Sequence, residues 1–270
     1  MSLHQFFLDD QVLADEDGAT FALRLAREDA KHARVLRLKP GEHLAVVDAA
    51  SDYFECEIVD FDGDLPVVRI ARHVEAVEEG PAVLLVQGLA KGDKMDTVIR
   101  QGTEIGVAGF VPLRCERSVM KVDARKAASK RERWQSIARS AAMQAGRLVI
   151  PEVAEPTDIA GLSDLVKNAT ALLVCWEEAP GTALISDALA RALAATQTTV
   201  FSDARVVVVV GPEGGLSSSE VDRLLALNPR SALVSLGSSI LRTETAGVVA
   251  PALVLYELGA LGGSGGGVRA

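Results

Sequence analysis

The chain has 270 residues, of which 49% are hydrophobic and 24% are charged, so it is long enough for two domains that each bury a core. Its formal net charge of −9 argues against a uniformly basic nucleic-acid-binding protein but leaves room for a local basic surface. No apolar run reaches the roughly 18 residues of a membrane-spanning helix, and the acidic start MSLHQFFLDD is unlike a signal peptide, which predicts a soluble cytoplasmic protein with no membrane partner.

The first 74 residues have the pattern of a small β-rich domain. Short apolar or alternating runs are separated by turn-forming residues, and about six such strands in so short a segment predict a small barrel. The clearest runs are HLAVVDA, YFECEIVDF and PVVRIARHV. AREDAKHARVLR interrupts them as a short basic helix, and VEAVEEGP has the composition of a linker.

From Pro81 onward, strands alternate with helices, which predicts a parallel sheet covered on both faces. The predicted strands are AVLLVQGL, GFVPL, LVIPEV, ALLVCW, RVVVVVG and ALVSLG. The predicted helices include DKMDTVIRQGTEIGV, a long one from about Asp123 to Ala145, and TETAGVVAPALVLYELG, which Pro251 is expected to kink. Residues 263–270 are rich in glycine and predict a flexible tail.

Positive charge is concentrated in two segments of this acidic chain. Arg114 to Arg139 holds nine Lys and Arg against three Asp and Glu, a local charge of +6, which leaves −15 elsewhere. Arg24 to Lys39 holds six basic residues against two acidic ones. Both a phosphate-binding surface and a solvated helix face agree with this pattern. The three cysteines and four histidines are scattered without ligand spacing, so no metal site is predicted.

The segment RVVVVVGPEGGLSSSEVDRLL, Arg205 to Leu225, combines a buried strand, a glycine loop and a helix whose Ser217 and Glu220 have capping-box spacing. GPEGG lacks the lysine of a P-loop and the GxGxxG spacing of a dinucleotide loop, and Glu213 would repel phosphate. Two interpretations remain: a loop whose backbone closely approaches a ligand that tolerates negative charge, or a tight turn before a capped helix.

A second segment, VSLGSSILRTETAGVVAPALV, follows the next predicted strand. LGSSIL is a turn of small residues, and Arg242 and Glu244 follow it at the start of the last helix. An acidic residue there also suits the helix dipole. Because α/β proteins bind ligands at the carboxyl ends of parallel strands, the two segments together predict a ligand site.

These two segments together resemble the SPOUT superfamily of S-adenosyl-L-methionine-dependent RNA methyltransferases. The resemblance is greatest to the branch that methylates N3 of a uridine in 16S ribosomal RNA of the small subunit. Further matching segments occur in the same order, so the resemblance extends from about His32 to Leu258. They are HARVLRLKPGE, KGDKMDTVIRQGTEIGV, PLRCERSVMK and MQAGRLVIPEV.

The resemblance implies an α/β protein of two domains. It implies a PUA-like β-barrel that binds RNA in residues 1–74 and an α/β trefoil-knot methyltransferase domain in residues 75–262. It also implies a homodimer, no metal, and either small-subunit ribosomal RNA or the assembled small subunit as substrate. Two alternatives remain: a SPOUT ribose 2′-O-methyltransferase, and a non-catalytic RNA-binding protein of ribosome assembly.

Three loops are implied to bind S-adenosylmethionine, with catalytic residues beside them. The cofactor-binding residues are Trp176 and Glu177, then Gly211, Pro212, Glu213, Gly214 and Gly215, then Leu236, Gly237, Ser238, Ile240 and Leu241. Uracil N3 must lose a proton before it attacks, so we expect Arg242 to stabilise the uracil anion or position phosphate. Glu213 and Glu244 are both candidates for the base.

The expected RNA contacts are basic residues in both predicted domains. They are Arg34, Arg37, Arg117, Lys121 and Arg147. Arg147 has the alternative role of a cation at a helix C-terminus, and Trp134 is predicted to be a core residue rather than a base-stacking one. The chain keeps Gln144, Gly146 and Arg147 of the family's pattern but has Met143 where an acidic residue is common.

Overall fold

A computed structural model describes residues 3–75, 80–120, 124–177 and 183–262. The chain forms two compact units, one of Met1–Glu78 and Ala142–Val149, the other of Glu79–Ala141 and Ile150–Arg269. The predicted ranges 1–74 and 75–262 assign all of the long helix to the second domain, whereas its last residues belong to the first unit. The predicted tail and residues 76–79 of the predicted linker lie outside the described residues.

The first unit is built on a five-stranded sheet with one helix. Its elements are β1 (His4–Phe7), β2 (Phe21–Ala22), α1 (Arg27–Leu36), β3 (His43–Val47), β4 (Tyr53–Asp62) and β5 (Leu65–Val74). The strand order is β1-β3-β4-β5-β2, and only β1 and β3 are parallel. Alternation in β4 buries Phe54, Cys56 and Ile58 on one face. Gly63, with φ 60°, allows the two-residue turn that joins β4 to β5.

The second unit is an α/β domain with a six-stranded, wholly parallel sheet, as predicted. Its strands are β6 (Ala82–Gly88), β7 (Gly109–Leu113), β8 (Glu152–Val153), β9 (Ala171–Cys175), β10 (Arg205–Val210) and β11 (Ser231–Val234). Its helices are α2 (Lys94–Ile105), α3 (Ala124–Ala145), α4 (Ser163–Val166), α5 (Ile185–Thr196), α6 (Ser218–Leu225) and α7 (Thr243–Glu257). The sheet order is β11-β9-β10-β6-β7-β8.

The five valines of β10 are buried because the strand lies inside the sheet between β9 and β6. LVIPEV contributes only the two residues of β8 rather than a full strand. The helix α7 continues through Pro251, so the proline does not end it. The trefoil knot implied by the resemblance remains a prediction, because strand order and pairing do not define how the chain is threaded.

The sheet order brings the carboxyl ends of β11, β9 and β10 side by side, so the loops that follow them are neighbours. The predicted capping box fixes the helix beyond β10. The Ser217 hydroxyl accepts from the Glu220 backbone N–H at 3.2 Å, and the Glu220 carboxylate accepts from the Ser217 N–H at 2.9 Å. The second predicted loop is thus held between a buried strand and a capped helix.

Gly88, at the end of β6, allows close approach of the loop that follows β10. A Cβ at this position would lie 2.4 Å from the Pro212 nitrogen and 2.7 Å from the Gly211 carbonyl carbon. Because these are backbone atoms, they cannot move aside as a flexible side chain would. We therefore expect Gly88→Ala to lower the free energy of unfolding by about 1–3 kcal/mol through overpacking.

Urea denaturation provides the measurement, and Gly80→Ala provides the control. A Cβ at Gly80 meets nothing within 4 Å, so that substitution should leave stability nearly unchanged. Equal unfolding midpoints for the two variants would contradict the close approach at Gly88.

Candidate cofactor and active site

Three loops of the second unit surround one cavity of about 450 Å³. The loops follow β9, β10 and β11, and are called the first, second and third loop below; the described part of the first is Trp176 and Glu177. Every predicted cofactor-binding residue except Gly214 lines the cavity. Arg242 also lines it, whereas Glu244 does not. The cavity volume lies within the range typical of small-molecule sites.

A buried hydrogen-bond network holds the second loop and the start of α7 together. The amide Nε2 of Gln87, at the end of β6, donates to the Thr243 hydroxyl at 2.9 Å. That hydroxyl donates in turn to the Gly211 carbonyl oxygen at 2.6 Å. Gln87 is 1% exposed and Thr243 is 7% exposed, so water does not compete for these bonds. The network therefore ties β6, the loop after β10 and the first residue of α7 to one another.

A cluster of charged groups lies beside this network. The Lys94 ammonium is 3.0 Å from Glu213 Oε1 and 3.4 Å from Glu244 Oε2. Glu213 Oε1 also accepts from the Lys91 backbone N–H at 2.9 Å. Burial alone would raise the pKa of Glu213, but the hydrogen bonds from Lys91 and Lys94 outweigh it and hold that pKa below its usual value. The two carboxylates raise the pKa of Lys94 above its usual value, so the lysine is protonated.

The third loop offers unpaired backbone donors to a ligand. Within the described residues, the N–H groups of Leu236, Ile240 and Leu241 donate to no protein acceptor. Gly237 adopts φ 116°, a backbone conformation that residues other than glycine rarely adopt. Ile240 is 85% exposed at the cavity, where it presents an apolar surface. A flat heteroaromatic ring with hydrogen-bond acceptors fits these features, as expected for adenine.

The first two loops suit a cationic ligand group. Glu177 and Glu213 both line the cavity, and Glu177 Oε1 lies 3.1 Å from the position of a Cβ at Gly215. The Trp176 indole N–H donates to the Leu216 carbonyl oxygen at 3.3 Å, which fixes the ring at the cavity wall. The residues present therefore fit S-adenosylmethionine, which carries an adenosine and a sulfonium cation.

Arg242 and Glu244 have different surroundings, although they are neighbours in the chain. Arg242 precedes α7 and is exposed, and among the described residues its side chain has no hydrogen-bond or ion-pair partner. Its guanidinium group is thus available to a substrate at the cavity. Glu244 lies in the first turn of α7 and contacts Lys94 instead.

The predicted RNA-binding residues occupy varied positions. Arg34 of α1 forms an ion pair with Asp64, and Arg37 ends α1 in a left-handed conformation with φ 54°. Arg117 Nη1 donates to the Gly214 carbonyl oxygen at 3.2 Å, so this residue contacts the second loop. The Arg147 carbonyl oxygen accepts from Gln5 Nε2 at 2.5 Å within the first unit. Lys121 lies outside the described residues.

The described residues include neither a reactive cysteine nor a cluster of metal ligands. Burial raises the pKa of each cysteine thiol to about 12, so none is a thiolate nucleophile at neutral pH. In the described ranges, no three His, Cys, Asp or Glu side chains cluster closely enough to hold a metal, and no helix is long and apolar enough to cross a membrane. Trp134 is 2% exposed and belongs to the core, as predicted.

Comparison with known proteins identifies the family. Residues 78–255 match the family described as the RNA methyltransferase domain. The chain belongs to the RNA methyltransferase family. Residues 25–70 match the RNA methyltransferase PUA domain, which confirms the PUA-like character predicted for the N-terminal domain.

Individual relatives of this RNA methyltransferase cover nearly the whole chain. Ribosomal RNA small subunit methyltransferase E of Bacillus subtilis is 31% identical over 259 residues, which are 94% of this chain and 97% of that relative. The Neisseria gonorrhoeae protein of the same name, solved with bound S-adenosylmethionine, has a TM-score of 0.75 at 25% identity and covers 94% of this chain and 97% of its own. A putative methyltransferase of Legionella pneumophila, solved with the same cofactor, has a TM-score of 0.73 at 26% identity over 95% of this chain and 98% of its own.

The polar residues that hold the second loop of the RNA methyltransferase site, Gln87, Lys94 and Thr243, were not among the predicted site residues. Gln87 could have been found as a polar residue at the end of an apolar strand, where burial requires a partner. Lys94 and Thr243 lie within the segments KGDKMD and LRTETA on which the resemblance rests. Neither segment, however, predicts that these side chains contact the second loop.

The Thr243 hydroxyl is expected to be necessary for stability. Thr243→Val keeps the shape of the side chain but removes both hydrogen bonds of the hydroxyl, at a cost of about 1–3 kcal/mol. Gln87 Nε2 would keep only its longer contacts with the carbonyl oxygens of Gly88 at 3.3 Å and Gly211 at 3.5 Å. Thr243→Ser keeps the hydroxyl and should lose less than about 1 kcal/mol. Urea denaturation compares the two, and a valine variant as stable as the wild type would contradict the network.

The lowered pKa of Glu213 predicts a pH-dependent contribution to stability. Because the pKa is lower in the folded state, the contribution is present at neutral pH and is lost as pH falls through that folded pKa. The stability difference between wild type and Glu213→Gln should therefore be largest near pH 7 and shrink below about pH 4.3. Urea denaturation from neutral to acidic pH measures this difference.

Glu104→Gln removes an exposed carboxylate from α2 and serves as the control. A difference between Glu213→Gln and wild type that did not change with pH would contradict the assigned interaction of Glu213 with Lys91 and Lys94.

Proposed function

We propose that this RNA methyltransferase transfers the methyl group of S-adenosylmethionine to N3 of a uridine in small-subunit 16S ribosomal RNA. The observation that carries the proposal is the cavity at the carboxyl ends of adjacent parallel strands. Acidic side chains surround it, together with backbone donors and the Arg242 guanidinium, which have no partner in the part of the chain that the structure describes. The names of the relatives, ribosomal RNA small subunit methyltransferase E, support the substrate class.

Different loops bind different parts of the cofactor. The third loop meets the adenosine with the N–H groups of Leu236, Ile240 and Leu241 and the apolar Ile240 side chain. Glu177 and Glu213 favour the positive end of the cofactor. When bound, S-adenosylmethionine supplies an electrophilic methyl group. The second loop, held by Gln87 and Thr243, keeps the cavity wall in place.

Arg242 is the residue that we assign to the uracil. Removal of the N3 proton leaves a negative charge on the ring and its carbonyl oxygens, and a guanidinium stabilises such a charge. The target base must also be unpaired or flipped out, since N3 is occupied in a base pair. Arg242 is exposed at the cavity and its side chain has no partner among the described residues, so the guanidinium is available for this role.

Glu213 is a weaker candidate for the base than its position in the second loop suggests. Its lowered pKa means that the carboxylate holds a proton poorly at neutral pH. Glu244 shares Lys94 with it and does not line the cavity. Both carboxylates therefore suit a role in organising the site, and the identity of the base stays a prediction. A homodimer and a cytoplasmic location also stay predictions.

The decisive experiment uses radiolabelled S-adenosylmethionine with small ribosomal subunits that lack the modification, and in parallel with the naked ribosomal RNA. Nucleoside analysis of the product locates the label. We expect N3-methyluridine. Label on a ribose would assign the protein to the 2′-O alternative. No label, with RNA binding intact, would leave the non-catalytic ribosome-assembly alternative.

Arg242→Ala tests the assignment of the guanidinium within that assay. We expect kcat to fall about 10²- to 10³-fold, as for loss of one donor to a developing negative charge, with little change in the affinity for S-adenosylmethionine. Arg242→Lys keeps the positive charge but loses the planar guanidinium, so its kcat should lie between those of the wild type and the alanine variant. An alanine variant with wild-type kcat would remove Arg242 from the mechanism.

A further inference from the structure

The Lys94 side chain connects two of the three loops around the cavity. Its ammonium contacts Glu213 of the second loop at 3.0 Å and Glu244, in the first turn of the helix that follows the third loop, at 3.4 Å. Lys94 itself is the first residue of α2 and lines the cavity. One side chain on a separate helix thus holds the second loop and the end of the third loop at a defined separation.

The ionic contacts are partly shielded from solvent. The side chains of Lys94, Glu213 and Glu244 are 29%, 25% and 22% exposed, so solvent and salt screen them less than a surface ion pair. The Lys91 backbone N–H and the Lys94 ammonium converge on the same oxygen of Glu213. Gly92, with φ 70°, turns the chain between these two donors. The start of α2 is therefore anchored to one carboxylate oxygen of the second loop, through the Lys91 backbone and the Lys94 side chain.

We propose that Lys94 is a positioning residue for S-adenosylmethionine, acting by setting the spacing of the second and third loops through Glu213 and Glu244. This inference rests on the proposed function, because it names a further determinant of the same cavity. Its effect on affinity comes from loop geometry. It does not come from a direct contact of the ammonium with the reacting groups.

Geometry and through-space electrostatics predict opposite effects when Lys94 is removed. The three charged groups together carry −1, and loss of the ammonium would make the cluster −2. If the charge acted only through space, the cationic sulfonium would bind more tightly to the variant. If Lys94 positions the loops, the cofactor binds less tightly although the site has become more negative. S-adenosylhomocysteine has the same adenosyl group but lacks the methyl group and its positive charge, so it separates the two effects.

The test measures the Kd of both compounds by isothermal titration calorimetry for wild type, Lys94→Met and Lys94→Arg. We expect Lys94→Met to raise both Kd values by a similar factor, about tenfold, as for coupled members of one charged network. Lys94→Arg, which keeps the cation, should recover most of the affinity. Arg100→Met removes a cation from an exposed position of the same helix and should leave both Kd values unchanged.

A double variant shows whether Lys94 acts through Glu213. If Glu213→Gln has already removed the contact, adding Lys94→Met should weaken binding by much less than it does in the wild type. In the methylation assay, Lys94→Met should raise KM for S-adenosylmethionine with kcat less affected. A fall in kcat at unchanged KM would indicate loss of folded protein instead, and would contradict the positioning role.

The outcomes separate this inference from the proposed function. A wild-type protein that neither binds S-adenosylmethionine nor transfers methyl groups would contradict the function itself. A wild type that binds the cofactor, together with a Lys94→Met variant that binds both compounds equally well, would contradict the inference alone. A variant that binds S-adenosylmethionine more tightly while S-adenosylhomocysteine is unaffected would replace positioning with through-space electrostatics.

Discussion

The hydrogen bonds from Gln87 to Thr243 and from Thr243 to Gly211 are the constraint on which the site depends. They join the end of one strand, the loop after its neighbour in the sheet, and the start of the last helix. Buried hydrogen bonds of this kind are strong, and leaving one unmade is costly, so they restrain the relative positions of the three elements. Gly247 leaves room for the Gln87 side chain in this network, because a Cβ at position 247 would lie only 2.4 Å from Gln87 Oε1.

Ionic contacts add to the buried hydrogen bonds in positioning the second loop and the start of α7. Lys94 with its two carboxylates lies nearer to solvent than Gln87 and Thr243 do. A neutral network in the interior avoids the desolvation penalty of buried ions, while the partly exposed cluster keeps its charges solvated enough to be tolerated. Among the described residues that line the cavity, the Arg242 side chain lies outside both sets of contacts, so its guanidinium is available to a substrate.

Much of the architecture could be predicted because it depends on local patterns. A run of valines before a glycine loop specifies a buried strand, and the spacing of Ser217 and Glu220 specifies a helix start; both are present in the fold. The convergence of the loops follows from the rule for parallel strands. The partners of Lys94 and of Arg117 could not be predicted, because a long cationic side chain reaches many groups and only the tertiary structure selects among them. Arg117, expected at the RNA, donates to the second loop.

Many of the anchors of the loops are backbone atoms, and this limits how the chain can vary in length. The carbonyl oxygens of Gly211 and Gly214 and the N–H of Lys91 are held by fixed partners. A substitution elsewhere in a loop leaves such atoms in place, whereas an inserted or deleted residue would shift all of them at once. The segments between β6 and α2 and between β10 and α6 should therefore keep a constant number of residues among relatives, even where their side chains differ.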